Sequence, residues 1–154
     1  MPSELSDELV SFLESGVAIV VATRDDDLQP EIARGWGLEV DTTAGTATLC
    51  LDAPPGSRTR TNLAGNGALA VTCSRPSTYR TVQLKGSALE LREPTGEQLT
   101  AARRHLEAFV EEVGKVGVEP EGARTFLGDE LVSVTFDVRE LYDQTPGPRA
   151  GERL

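Results

Sequence analysis

The sequence predicts a small, mainly antiparallel β-barrel with peripheral helices, which is an α+β fold. Most apolar segments are short, rich in β-branched residues and bounded by turn residues, as is typical of strands. One segment, near the middle of the second half, has the length and the apolar period of a long helix. Hairpin-like strands with a helix after the third and another before the last favour a barrel over a parallel sheet.

Composition limits the class of protein and its partners. The chain has 154 residues, 38% of them apolar, which suits one domain with its own core. Its net charge of −10, without a basic stripe, argues against nucleic acid and acidic membranes as partners. No apolar run approaches the roughly 20 residues of a spanning helix, and no secretory leader is visible. We therefore expect a cytoplasmic protein with a single domain (residues 1–143) and a Pro/Gly-rich tail (144–154).

The first half is expected to contain one short helix at the start, four strands, and a second helix in the segment 54–66 between the third strand and the fourth. The first helix begins at Ser6, with acidic residues in its first turn, and ends at Gly16. Two glycines flank Trp36, which indicates a bulge where another group approaches the backbone. The strands are predicted at residues 17–23, 29–40, 46–51 and 68–74.

The second half is expected to contain the long helix between two further strands. The fifth strand, at 79–91, alternates polar and apolar residues in its middle, so one face is buried. Thr95 precedes the long helix, at 96–113, and a short helix is predicted at 120–126. The last strand is expected at 131–142, and Cys50 and Cys73 are interpreted as buried thiols.

The sequence offers little acid–base or metal chemistry. His105 is the single histidine, and its neighbours Arg103 and Arg104 suggest a solvent-facing or partly covered imidazole. One histidine and two separated cysteines predict no metal site, and an aspartate run at 25–27 is interpreted as a solvated turn. Neither a nucleophile triad nor a Gly-rich nucleotide motif is visible, so the catalytic residues stay unknown.

The segment 54–66 carries the strongest functional signal. Ser57 stands where a helix N-cap belongs, and Arg58 and Arg60 follow in the first turn. Two cations at the positive end of a helix dipole are unfavourable unless an anion binds there, and phosphate is a common ligand of such turns. The alternative is that both arginines are solvated or paired with surface carboxylates, and the local sequence leaves the two open. With so little acid–base equipment, the chain would suit a phosphate-bearing cofactor that supplies the chemistry.

The order of these segments resembles the pyridoxamine 5′-phosphate oxidase-like FMN-binding split barrels. The resemblance spans about residues 16–91. It includes the strand beginning at Arg34, the turn at Gly45, Ser57-Arg58, the helix closed by Asn66, and the strand segment 80–86. It implies a homodimer of six-stranded antiparallel split β-barrels, with FMN in two grooves between the subunits.

The resemblance also assigns roles to residues. Ser57 and Arg58 would bind the FMN phosphate, with Arg34 near the phosphate or ribityl chain. Glu39 and Thr59 stand where the oxidases usually carry lysines, with Arg60 supplying a nearby charge, and Thr81 replaces a glutamine. These departures predict FMN binding that is weak, altered in pose or absent. The expected isoalloxazine lining is the backbone around Trp36, Gly37, Leu49 and Cys50, and Trp36 is equally expected as a core or interface residue.

Two functions follow as hypotheses. The first is an FMN-dependent oxidoreductase of the pyridoxamine 5′-phosphate oxidase-like class with an unidentified small-molecule substrate. The alternative is a dimeric, non-catalytic binding or sensing module for flavin, haem or another anionic small molecule. Deazaflavin or haem in the same groove is a further alternative within the enzyme class.

Overall fold

Six antiparallel strands close into a barrel in the computed structural model of the chain, which describes residues 5–154. The strands run in the order β3-β2-β1-β4-β5-β6, and β6 pairs back with β3 to close the barrel. The predicted split-barrel fold is confirmed. The strands are β1 (Ala18–Arg24), β2 (Pro30–Asp41), β3 (Thr46–Asp52), β4 (Ala68–Ser74), β5 (Thr81–Arg92) and β6 (Leu131–Asp143).

Four helices lie around the barrel in this part of the chain. They are α1 (Asp7–Leu13), α2 (Arg58–Gly65), α3 (Gly96–Gly114) and α4 (Pro120–Arg124). Ser6 caps α1 by accepting a hydrogen bond from the Leu9 backbone N–H. Thr95 and Gln98 form a reciprocal capping box at the start of α3. The caps read from the sequence therefore set these helix starts. None of the described helices has the length and apolarity needed to cross a membrane.

The barrel interior is filled by alternate residues of all six strands. Period-two alternation directs one set of side chains inward, and aliphatic residues dominate that set because the chain has few aromatics. Phe136 and Leu84 are fully buried there, and α1 closes one end with Phe12 and Leu13. Cys73 also lies in this interior, and both cysteines are buried free thiols, as expected.

A bulge in β2 lets α3 pack directly on the sheet. The register between β2 and β3 shifts between Trp36 and Glu39, and Gly37 has a φ of 65°. A Cβ at Gly37 would lie only 2.8 Å from the backbone nitrogen of Ala102 in α3. The predicted bulge is confirmed, and the group that approaches the backbone is the chain's own helix.

A second apolar cluster joins α3 and α4 to the outer face of the barrel. Trp36 packs there against the edge of Phe109, with ring centroids 5.6 Å apart and planes at 87°. This cluster is separate from the barrel interior. Its buried members are Trp36, Ala102, Leu106, Phe109, Val110, Val113 and Ala123.

The expectation that His105 faces solvent or is only partly covered is wrong. The imidazole is 7% exposed; its Nδ1 accepts a hydrogen bond from the Gly37 N–H at 3.0 Å, and its Nε2 lies 2.7 Å from the Val17 carbonyl oxygen, to which it donates. Position 105 lies on the same helical face as Ala102 and Phe109, while the neighbouring arginines point outward. Burial lowers the pKa of His105, so the imidazole is held neutral and joins α3 to β1 and β2.

Several segment ends differ from the prediction: α1 ends at Leu13, before the expected Gly16, α4 ends at Arg124 and not at 126, and other bounds are shifted by one or two residues. β5 begins at Thr81 rather than at 79, because Tyr79 has a φ of 63° and leaves the extended conformation. Residues 144–151 contain no helix or strand, but a two-residue strand, β7 (Glu152–Arg153), pairs with the end of β6.

Candidate functional site

The first turn of α2 has the geometry that the sequence indicated. Ser57 is the N-cap, and its Oγ accepts a hydrogen bond from the Arg60 N–H at 3.3 Å. The turn before it is closed by the Ser57 N–H on the Pro54 carbonyl at 3.0 Å. The N–H groups of Arg58 and Thr59 have no acceptor within the helix, because the first turn of a helix offers none. We call Ser57, Arg58 and these two N–H groups the anion site.

The two arginines of this turn differ in the hydrogen bonds that their side chains make. Arg60 donates from Nε to the Ala53 carbonyl at 2.5 Å and from Nη2 to the Leu131 carbonyl at 3.5 Å, so it ties the end of β3 to the start of β6. Its contact with the exposed Glu93, at 4.0 Å, is marginal. Arg58 is exposed and has no carboxylate within 4.0 Å among residues 5–154. Of the two arginines, Arg58 is therefore the one available to an anion.

Two asparagines hold α2 in place on the barrel. Asn62 is buried and donates from Nδ2 to the Thr23 hydroxyl of β1 at 3.1 Å. Asn66 donates to the Arg24 carbonyl at 2.9 Å, just after the helix ends. Thr59 is buried on the same inner side, 3% exposed, and so it does not face solvent beside Arg58. The anion site consequently stands on a fixed helix.

Arg34, which is also predicted to lie near the bound phosphate, has a carboxylate beside it. The register places Gly35 opposite Leu51, so Arg34 and Asp52 are neighbours across β2 and β3. The guanidinium carbon of Arg34 lies 4.5 Å from the centre of the Phe126 ring. Burial raises the pKa of Asp52, against hydrogen bonds from Trp36 and Gly128 and the charge of Arg34, all of which lower it. Asp52, at the end of β3, therefore places a carboxylate beside Arg34, one of the residues expected to bind the ligand.

The residues expected to line a flavin ring are covered by protein. Trp36 is 2% exposed beneath α3, and Cys50, opposite it in the register, is equally buried. Leu49 points into the barrel interior, and so does the Cβ direction of Gly35. The backbone at Gly37 is in contact with α3.

Thr81 is not brought near the anion site within one subunit. It pairs with Ser74 of β4, which pairs with Ala18 at the start of β1. The helix α2 contacts β1 at Thr23, five residues further along, which is about 17 Å at strand spacing. The Thr81 hydroxyl is engaged with Ser74 at 2.7 Å.

The residues that cover this face were not predicted from the sequence. Phe126 and Gly128 lie together in the segment after α4, and they meet Arg34 and Asp52 only in the folded chain. The neighbouring Arg103 and Arg104 suggest an exposed position, but the three- and four-residue spacing from Ala102 to Phe109 places His105 on the inner face of α3. No comparable signal marks Asp52, which reads as the polar end of a strand.

FMN fits one end of this region and not the other. The anion site presents a hydroxyl, two backbone N–H groups and an exposed guanidinium, which suit a phosphate. The strand face that would hold the isoalloxazine is in contact with α3, because a Cβ at Gly37 would meet helix backbone. No step of flavin chemistry can therefore be derived from this arrangement. In residues 5–154 no group of three or more His, Cys, Asp or Glu side chains is placed to hold a metal ion.

A separate cavity of about 430 Å³ lies between α1, β2 and α3. Glu14, Glu39 and Arg104 stand at its rim, and Gly37 is the one predicted site residue that lines it. Glu14 accepts a hydrogen bond from the Val40 N–H at 2.8 Å, which fixes α1 against β2.

Comparison with solved structures places the fold in a known class. No family model matches the chain, and no curated protein does. HupZ from Group A Streptococcus aligns over 96% of this chain and 100% of its own, with a TM-score of 0.57 and 17% identity. An F420 reductase aligns over 85% and 93%, with a TM-score of 0.56 and 16% identity. A putative pyridoxamine 5′-phosphate oxidase from Lactobacillus delbrueckii aligns over 90% and 93%, with a TM-score of 0.54 and 16% identity.

These likenesses define the class by its fold. The chain has the split-barrel fold of the pyridoxamine 5′-phosphate oxidase-like proteins, in agreement with the resemblance read from the sequence. At such low identities the alignments support the fold and carry no information about function, because one fold hosts many functions.

Proposed function

We propose that this protein is a cytoplasmic homodimeric binding protein that holds the phosphate group of a small molecule at the anion site. The observation that carries the proposal is Arg58, an exposed cation at the first residue of a capped helix. A cation at this end of a helix is unfavourable by about 0.3–1 kcal/mol, and a bound phosphate would reverse that effect. The net charge of −10 strengthens the point, because surface carboxylates are plentiful and Arg58 pairs with none of those described.

The homodimer is proposed through the outer face of β1, β2 and β4. Val20 and Ile32 project outward there and are 36% and 67% exposed. Their neighbours Ala22 and Ala70 are small, and a shallow depression of about 440 Å³, lined in part by these two residues, lies beside them. A flat apolar sheet face of this kind suits a second copy of the same surface. Arg34 stands at its border, opposite Val20, so a partner subunit would form the second wall of a groove there.

FMN-dependent oxidoreduction is the second candidate function. It is favoured by the fold shared with an F420 reductase and with a putative pyridoxamine 5′-phosphate oxidase, together with the anion site. It is opposed by the covered strand face at Trp36 and by the carboxylate of Asp52 beside Arg34. In this candidate FMN would supply the redox chemistry, and Ser57 and Arg58 would hold its phosphate.

Calorimetric titration with FMN tests the anion site. We expect Arg58→Ala to weaken binding at least tenfold, about 1.4 kcal/mol, because a charged hydrogen bond is worth roughly 1.5–3 kcal/mol. Arg103→Ala, which removes an exposed arginine of α3, is the matched control and should bind like the unmodified protein. Equal affinities for the two variants would refute the assignment of the anion site.

The same preparations test the other parts of the proposal. Light scattering at micromolar concentration should give the mass of a dimer, and a monomer would remove the second wall of the groove. Reduction of bound FMN by NADH or NADPH, followed by absorbance, separates the candidates, since a binding module would leave the flavin oxidised.

A further inference from the structure

The side chain of Trp36 is fixed at both ends of its indole ring. Its Nε1 donates to Asp52 Oδ2 at 2.9 Å, and Asp52 Oδ1 accepts from the Gly128 N–H at 2.9 Å. The ring system packs against the rings of His105 and Phe109, at centroid distances of 5.3 and 5.6 Å. An indole with a buried hydrogen bond and two aromatic neighbours has one arrangement, so Trp36 is part of the rigid structure.

Helix α3 and the segment after α4 leave no layer for a second ring on this face. A ring lying on a strand needs its atoms about 3.5 Å from the backbone, with a comparable distance to whatever covers it. At Gly37 even one added carbon would be 2.8 Å from Ala102 N and 3.0 Å from Ala101 C. Phe126 continues the cover, 5.9 Å from Phe109 and 4.5 Å from the Arg34 guanidinium. The cover is made by the same subunit, so dimerisation does not remove it.

The cover is held by the second apolar cluster and by the hydrogen bonds of His105 and Asp52. His105 fastens α3 to both β1 and β2, and Asp52 fastens Gly128 to Trp36. Moving α3 aside would break these hydrogen bonds and expose the buried face of the helix. A bound ring would have to replace all of these contacts, which its own stacking does not do.

We infer that Trp36 and Asp52 determine the ligand class: the anion site takes alkyl or sugar phosphates, and the chain excludes a flavin-type ring from the β2–β3 face. The inference rests on the proposed function for its phosphate part, while ring exclusion stands on the packing of Trp36 and of α3 against β2. Trp36 fills the position with the chain's own aromatic ring, and Asp52 holds that ring in place.

Three probes on the unmodified full chain separate the two parts of the inference. FMN carries both the ring and the phosphate, ribitol 5-phosphate is FMN without the ring, and riboflavin lacks the phosphate. We expect FMN and ribitol 5-phosphate to bind within roughly threefold of each other in calorimetry, because the ring adds no contacts. Riboflavin should not bind, and bound FMN should keep the fluorescence of a free, unstacked flavin.

The outcomes are distinguishable. FMN binding more than about 100-fold tighter than ribitol 5-phosphate, or saturable binding of riboflavin, would overturn ring exclusion. If none of the three binds, the anion site and the proposed function fail, while the absence of riboflavin binding still supports ring exclusion.

Variants of Trp36 test whether this side chain excludes the flavin ring. Trp36→Ala should raise the FMN to ribitol 5-phosphate affinity ratio at least tenfold, because it opens space on the strand face. Trp36→Phe keeps most of the aromatic volume, and its ratio should stay near that of the unmodified protein. A general loss of stability would weaken both ligands together and leave the ratio unchanged, so an unchanged ratio in a folded Trp36→Ala protein overturns the role of Trp36. If that variant does not fold, the three-probe comparison on the unmodified chain decides the inference.

Discussion

Substitution of Gly37 by alanine probes the contact on which the covered face depends. Two effects add at this position. The φ of 65° is a left-handed conformation that costs an L-residue roughly 1–2 kcal/mol. The new Cβ would also meet the backbone of Ala101 and Ala102, and backbone atoms cannot rotate away as a side chain can. Overpacking of this kind costs typically about 1–3 kcal/mol, so we expect a total loss of about 2–5 kcal/mol of unfolding free energy.

Gly56→Ala is the matched control. Gly56 also has a left-handed backbone, with a φ of 80°, but nothing lies within 4 Å of an added Cβ. It should show the backbone cost alone, so Gly37→Ala should exceed it by about 1–3 kcal/mol. Urea unfolding followed by tryptophan fluorescence measures both, and Trp36, as the single tryptophan, reports from the contact itself.

The shape of the native spectrum gives a second, independent readout. If α3 is pushed away from β2, Trp36 becomes exposed and its emission in native Gly37→Ala should shift to longer wavelength, while Gly56→Ala keeps the unmodified spectrum. Equal unfolding free energies for the two variants, with identical native spectra, would refute the direct packing of α3 on β2 and with it the argument for ring exclusion.

Two further predictions concern ionisable groups. Because burial lowers the pKa of His105 below its usual 6.5, the unfolded chain binds the extra proton first; we expect the contribution of His105 to stability to be present above about pH 6.5 and to be lost as the pH falls below it. Urea midpoints between about pH 5 and 8 should show this slope, and His105→Gln should flatten it; an unchanged slope would contradict the buried imidazole. Burial raises the pKa of Cys50 to about 11 and of Cys73 to about 12, so a thiol reagent at about pH 8 should modify both only after unfolding, and rapid labelling of the native protein would contradict their placement.

Local patterns were sufficient for much of the fold. The strands around Val21 and Leu51 were predictable because short β-branched runs bounded by turn residues have few alternatives to a buried strand. The cap at Ser57 follows from chemistry within four residues, and it is present as expected. The bulge at Trp36 followed from its flanking glycines in the same way. Each of these features depends on interactions between residues close in sequence.

The candidate site was predictable only in part. The sequence indicates an anion site at Ser57 and Arg58, and the structure provides the cap and the exposed guanidinium there. The sequence does not indicate that Arg60 donates hydrogen bonds to two carbonyl oxygens, because those acceptors lie at the end of β3 and at the start of β6. The sequence also does not show that the strand face at Trp36 is covered, because the covering residues lie about 70 to 90 positions further along the chain.

By itself, the sequence determined the β-barrel with its peripheral helices, the helix caps, the bulge and the cation at the start of α2, because periodicity, turn chemistry and capping are written in adjacent residues. Tertiary structure decided that His105 is buried, that Arg60 is engaged, and that Trp36 lies under α3 with its indole on Asp52. The physical reason is that burial and hydrogen-bond partnership depend on which distant segments close around a residue, and those distances exist only after the barrel has formed and α3 has packed onto it.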